Sequence, residues 1–119
     1  MNSTLEAEVN NLHANICAGL ADPKRIMILY ALAERPQMVN DLAAALHIPQ
    51  SSVSRHLKVL RERGMVQATR QGQSVEYRIG DTRLIQALDL LRSVLRDTLS
   101  HRAELVEQLT GETREEMAA

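Results

Sequence analysis

Apolar residues recur along most of this chain at helical spacing. Leu5, Val9, Leu12, Ile16 and Leu20 form one stripe, and Ser3-x-x-Glu6 ahead of it reads as a capping box. Asp22 and Pro23 restart the chain as N-cap and first helical residue, and Ile26, Leu29, Tyr30 and Ala33 carry a second helix that Glu34-Arg35-Pro36 ends. Asn40 can cap a short third helix from Asp41 to Leu46. His47-Ile48-Pro49 interrupts it, because a residue before proline avoids the helical region. Val53, Leu57 and Leu60 give a fourth helix its inward seam, and Gly64 is the expected stop. The third and fourth helices are joined so tightly that they predict a helix-turn-helix.

After Gly64 the period drops to two. Met65 to Thr69 and Val75 to Ile79 alternate apolar with polar around the polar turn Arg70-Gln71-Gly72-Gln73-Ser74, which predicts a β-hairpin. Asp81 or Thr82 can cap a long last helix striped by Leu84, Leu88, Leu91, Leu95 and Leu99, with Ile85 and Val94 beside them. Residues 111–119, GETREEMAA, read as a polar, frayed tail behind a single domain of residues 1–110. The predicted class is mostly α with a small β-hairpin wing (α+β), in the order ααααββα.

Composition narrows the choices. Tyr30 and Tyr77 are the only aromatics among 119 residues, so the core must be Leu, Ile, Val, Met and Ala, which suits packed helices. No apolar run nears the roughly 20 residues of a membrane span, and the N-terminus does not read as a signal peptide. The single cysteine, Cys17, cannot form an internal disulfide and suits a reducing cytoplasm. There is no Gly-rich phosphate loop and no nucleophilic Ser/His/Asp or Cys/His set. Ser54 and His56 lack an acidic partner, so an enzyme is not expected.

Charge changes the picture more. Net charge is −1, yet residues 50–78 hold six cations against two anions, while both flanks are acidic. That asymmetry suits a polyanionic partner. On a helical wheel Val53, Leu57 and Leu60 cluster within about 60°, and Ser51, Ser54, Arg55 and Lys58 fall opposite. Small side chains let a helix approach the floor of the DNA major groove, Arg can bond guanine bidentately, and Gln50 at the leading end can read adenine. Ser52 belongs to the same leading turn. His56 lies between seam and outer face, open to a structural hydrogen bond or a phosphate contact. Lys24 and Arg25, which open the second helix, are equally open between DNA and a role in capping, solubility or an intramolecular ion pair. On the hairpin, Arg70, Gln71, Gln73 and Arg78 supply a wing for phosphates or the minor groove. The alternative to DNA is a winged-helix module that binds protein, and steep salt dependence separates the two.

The segments LADPKRIMILYAL (Leu20–Leu32), VNDLAAALHIPQSSVSRHLKVLRERGMV (Val39–Val66) and RQGQSVEYRI (Arg70–Ile79) resemble the ArsR/SmtB-type winged-helix repressors, over about residues 12–100. The resemblance implies a homodimeric bacterial repressor whose first and last helices pair across the dimer axis. Two recognition helices would then read an inverted repeat until a metal, redox or other small signal releases the DNA. The apolar stripes of both terminal helices agree with that pairing. The family's sensor motifs do not match. VNDL stands where a thiolate sensor would show C-x-C. Asp81-Thr82-Arg83 has Arg in place of a ligand His, Val94 and Asp97 occupy the later ligand positions, and a persulfide switch needs a second cysteine. The remaining candidates are His13 with Cys17, spaced i, i+4, and His101 with Glu104, spaced i, i+3. Together across a dimer they would suit a zinc-like ion. A regulator without a small-molecule effector is the alternative.

Overall fold

Asn2, rather than Ser3, starts the first helix: its side chain accepts the Thr4 N–H at 2.7 Å, and its carbonyl accepts the Glu6 N–H at 2.9 Å. The expected Ser3–Glu6 capping box is therefore not the cap used. The computed structural model describes residues 2–118, with side chains described through Gly111. The elements are α1 (Ser3–Leu12), which continues through a π-turn (His13–Cys17) and a short helical turn (Ala18–Leu20); α2 (Pro23–Glu34); β1 (Gln37–Met38); α3 (Val39–Leu46); α4 (Gln50–Glu62); β2 (Val66–Gln71); β3 (Ser74–Ile79); and α5 (Arg83–Ala118). The expected order is present with one addition, the two-residue strand β1. The chain divides into two units, residues 1–85 and 86–119.

The first unit holds the helix-turn-helix and the sheet. Asp22 caps α2 through the Lys24 N–H at 2.8 Å, with Pro23 at its first position as the sequence predicts. Its buried residues are Ile28, Leu29 and Leu32, whereas Ala33, expected on the stripe, is exposed. α3 starts at Val39 without a side-chain cap, so Asn40 lies inside the helix rather than before it. His47 ends α3 in the left-handed region at φ 55°, and the Ile48 N–H returns to the Ala43 carbonyl at 3.1 Å. That reversal turns the chain into α4 within three residues. Leu42, Ile48, Val53, Leu57, Leu60, Met65 and Val66 join the α2 residues in an all-aliphatic core.

Gly64 follows α4 at φ 74°, a conformation glycine adopts without steric cost. The Met65 N–H then bonds the Leu60 carbonyl at 2.9 Å and directs the chain into β2. β2 and β3 pair antiparallel from Val66↔Ile79 to Gln71↔Ser74 around the two-residue turn Gly72-Gln73. β1 adds a third strand beside β3 through Gln37↔Tyr77 and Met38↔Glu76, in the order β1-β3-β2. Gln37 is 6% exposed and donates its side-chain N–H to the Ala31 carbonyl at 2.9 Å, so its burial is compensated.

α5 spans 36 residues and is capped by Asp81, which accepts the Arg83 N–H at 2.8 Å. It does not stop at Gly111, where the polar tail was expected to begin; the backbone stays helical to Ala118. Leu88 is buried, but Leu90, Leu91, Val94, Leu95, Leu99, Leu105, Val106 and Leu109 are exposed. No helix among the described residues is long and apolar enough to cross a membrane.

Candidate nucleic-acid interface

α4 has two faces with different fates. Val53, Leu57 and Leu60 are at most 1% exposed. Gln50, Ser51, Ser54, Arg55, Lys58 and Arg61 are exposed on the outside. The sequence places cations and hydroxyls at most positions the core does not claim, so the packing that buries the seam also aims them outward. Ser52 departs from the expected pattern. It is half-buried, and its Oγ accepts the Arg55 Nη2 at 3.2 Å, so it steadies Arg55 instead of standing free. No acidic side chain lies on α4 before Glu62.

His56 is half-buried, and burial holds its imidazole below the usual histidine range. Asp22 pulls the other way, while Arg25, Arg55 and Lys24 add to the depression. The ring is therefore neutral at pH 7 and can donate one N–H. Asp22 in turn is held below the usual carboxylate range, first by the Lys24 N–H, against a smaller desolvation that raises it, and then by His56 once protonated and by the charges of Arg25 and Lys24. The start of α2 thus lies electrostatically against the middle of α4. Arg25 resolves its open reading: its Nε and Nη2 donate to the carbonyls of Gly19 at 2.7 Å and Ala18 at 3.2 Å, so it caps the preceding helix.

The wing separates its two arginines. Arg70 pairs with Val75 and shares a face with Ala68, Tyr77, Val66 and Ile79. Arg78 lies on the opposite face with Gln67, Thr69 and Glu76, and donates to the Gln67 Oε1 at 3.2 Å and to the Thr69 hydroxyl. Arg70, whose Nε reaches the Gly72 carbonyl at 3.3 Å, stands at the exposed tip with Gln71 and Gln73. Arg78 is exposed as well, but its Nε and Nη1 are engaged by its own sheet. Arg63 is another cation that composition alone over-counts, since it bonds backbone carbonyls of the first helix.

His13 and Cys17 are both exposed on the π-turn, and His101 and Glu104 are exposed on α5. Among the described residues no three His, Cys, Asp or Glu side chains converge as a metal ion requires. The described residues of one chain therefore do not assemble a metal site by themselves.

A helix-turn-helix with a three-stranded wing and an outward hydroxyl-and-guanidinium helix face defines a winged-helix DNA-binding regulator. Residues 22–68 match the model of the bacterial regulatory protein arsR family. The transcriptional regulator NmtR of Mycobacterium tuberculosis is 45% identical over 64% of this chain and 63% of its own length, so the chain spans just under two-thirds of that relative. The repressor SmtB of the same species is 35% identical over 82% of this chain and 67% of its own. Among solved structures, a homodimeric winged helix-turn-helix DNA-binding domain from Mycobacterium bovis is similar at TM-score 0.71 and 27% identity, over 85% of this chain and 93% of that one. The chain belongs to the ArsR family of transcriptional regulators.

Proposed function

We propose that the protein is a homodimeric cytoplasmic repressor that reads an inverted-repeat operator with two copies of α4. The observation that carries this reading is the outward set Ser51, Ser54, Arg55 and Lys58 on a helix whose other face is fully buried. Gln50, Ser51, Ser54 and Arg55 approach base edges, Ser52 braces Arg55, and His56 and Lys58 lie toward the phosphates. Arg70, Gln71 and Gln73 reach the backbone or minor groove from the wing tip, with Arg78 behind them. Dimerisation is supported by the exposed Leu5, Val9 and Leu12 of α1 and the exposed Leu91, Leu95 and Leu99 of α5, too much apolar surface to leave in water. The homodimeric relative from Mycobacterium bovis and the repressor SmtB support the same reading.

The test is binding to a duplex selected by the protein from a random-sequence pool, followed as salt rises. Several phosphate contacts per subunit make affinity fall steeply with salt. Flat salt dependence, or failure to select any duplex, would favour a protein-binding module.

The releasing signal is a separate question. His13, Cys17, His101 and Glu104 could hold a borderline metal only by convergence of two subunits. Zinc titration of the wild type and of Cys17→Ser decides that point: equal stoichiometry and affinity in both would remove Cys17 from any site.

A further inference from the structure

The first helix is not uniform: between His13 and Cys17 it widens into a π-turn. Such a turn shifts the backbone ladder by one residue, and here the Ala18 N–H bonds the carbonyls of His13 and Asn15. Arg63, the residue that ends α4, adds a donor from outside the helix. Its Nη1 donates to the Ala14 carbonyl at 2.7 Å and to the Asn15 carbonyl at 3.1 Å. Its stem crosses Gly19, where an added Cβ would lie 3.0 Å from the Arg63 Cδ and 2.7 Å from the Met65 Sδ. The missing side chain at Gly19 is what lets the arm lie there. Bonds from a guanidinium to carbonyls are charge-assisted and stronger than neutral ones.

We propose that Arg63 is a positioning residue for DNA binding. It fastens the carboxyl end of the recognition helix to the π-turn, so the angle of α4 and the hydrogen-bond register of the first helix change together. If the π-turn relaxes to α-helix, the Ala14 and Asn15 carbonyls change direction and Arg63 loses its seat. If α4 shifts, the π-turn loses its outside donor. The two ends of that link are a DNA-reading helix and a helix whose apolar face is exposed for pairing. The inference rests on the DNA-binding reading of α4 given above.

The test compares full-length wild type, Arg63→Met and Arg63→Lys on the duplex selected by the wild type, with amide hydrogen exchange followed in parallel. Arg63→Met is expected to bind about tenfold more weakly, the size of a coupling carried through one contact. The slope of log affinity against log salt stays that of the wild type, because no phosphate contact is removed. Amides of residues 13–20 exchange faster in the variant, and DNA slows their exchange in the wild type but not in Arg63→Met. Arg63→Lys keeps the charge but not the fork, and falls between the two. Wild-type affinity with unchanged exchange in Arg63→Met overturns the proposal. So does a salt slope reduced by about one, which would make Arg63 a direct phosphate ligand. Should the wild type select no duplex, the DNA-binding reading itself fails and takes this inference with it; an effect confined to the variants separates the two cases.

Discussion

α4 and α5 are both amphipathic, yet they use their apolar faces differently. α4 closes its face inside residues 1–85: Leu57 is 1% exposed, and the outer side is left to cations and hydroxyls. α5 keeps its face open: Leu91 is 61% and Leu95 57% exposed. A single chain therefore closes the apolar face of α4 but not that of α5. In the proposed dimer, folding and assembly draw on separate leucines, and substitutions can separate them.

The largest effect is expected at the closed face. Leu57→Ala removes a fully buried side chain and should cost about 2–5 kcal/mol of unfolding free energy, measured by urea denaturation. A smaller loss would mean that the seam of α4 is not core. At the open face Leu91→Asp should leave the far-ultraviolet dichroism of a folded chain but abolish the dimer in sedimentation, because the paired helices would bury an unpaired charge. An intact dimer would place the interface elsewhere. Arg55→Ala should cost about 1–3 kcal/mol of specific DNA affinity without changing stability, and Arg70→Ala should weaken all sequences alike and flatten the salt slope. If neither substitution alters binding, the outward face of α4 and the wing tip are not the interface.

The smallest effect concerns pH. The folded pKa of His56 is depressed, so the native state binds fewer protons than the unfolded chain does below the ordinary histidine value of 6.5. Stability should therefore decline as pH falls below that value, and His56→Gln should remove this part of the decline. Asp22 has a depressed carboxylate, so its contribution is lost only at more acidic pH, near and below its ordinary value of 3.8. Thermal melts of both proteins between neutral and mildly acidic pH separate the two groups. Parallel curves for wild type and His56→Gln would show that burial does not disfavour the imidazolium.

Much of this was legible in local chemistry. Asp22-Pro23, Gly64 and the period change at Met65 announce their own structures because cap, stop and pleat depend on neighbours within a few residues. The outward face of α4 was legible for the same reason. β1 was not, since Gln37 and Met38 become a strand only by pairing with Tyr77 and Glu76, far along the chain. Nor was the fate of the cations: Arg63 and Arg78 look like Arg55 in sequence, but carbonyls of Ala14 and Asn15 and side chains of Gln67 and Thr69 occupy them. The π-turn did leave a trace. From Leu12 through Ile16 to Leu20 the apolar spacing is four and four, which drifts off an α-helical stripe but stays nearer to line where the helix widens.

The most direct test of the account is a footprint of the dimer on its selected duplex, read by methylation interference in the major groove. A dimer reading DNA with two α4 helices gives two interference patches related by two-fold symmetry and centred about 10–10.5 base pairs apart, or a multiple of that spacing, each weakened by Arg55→Ala. A single patch, or two patches whose spacing places them on opposite sides of the duplex, would contradict it.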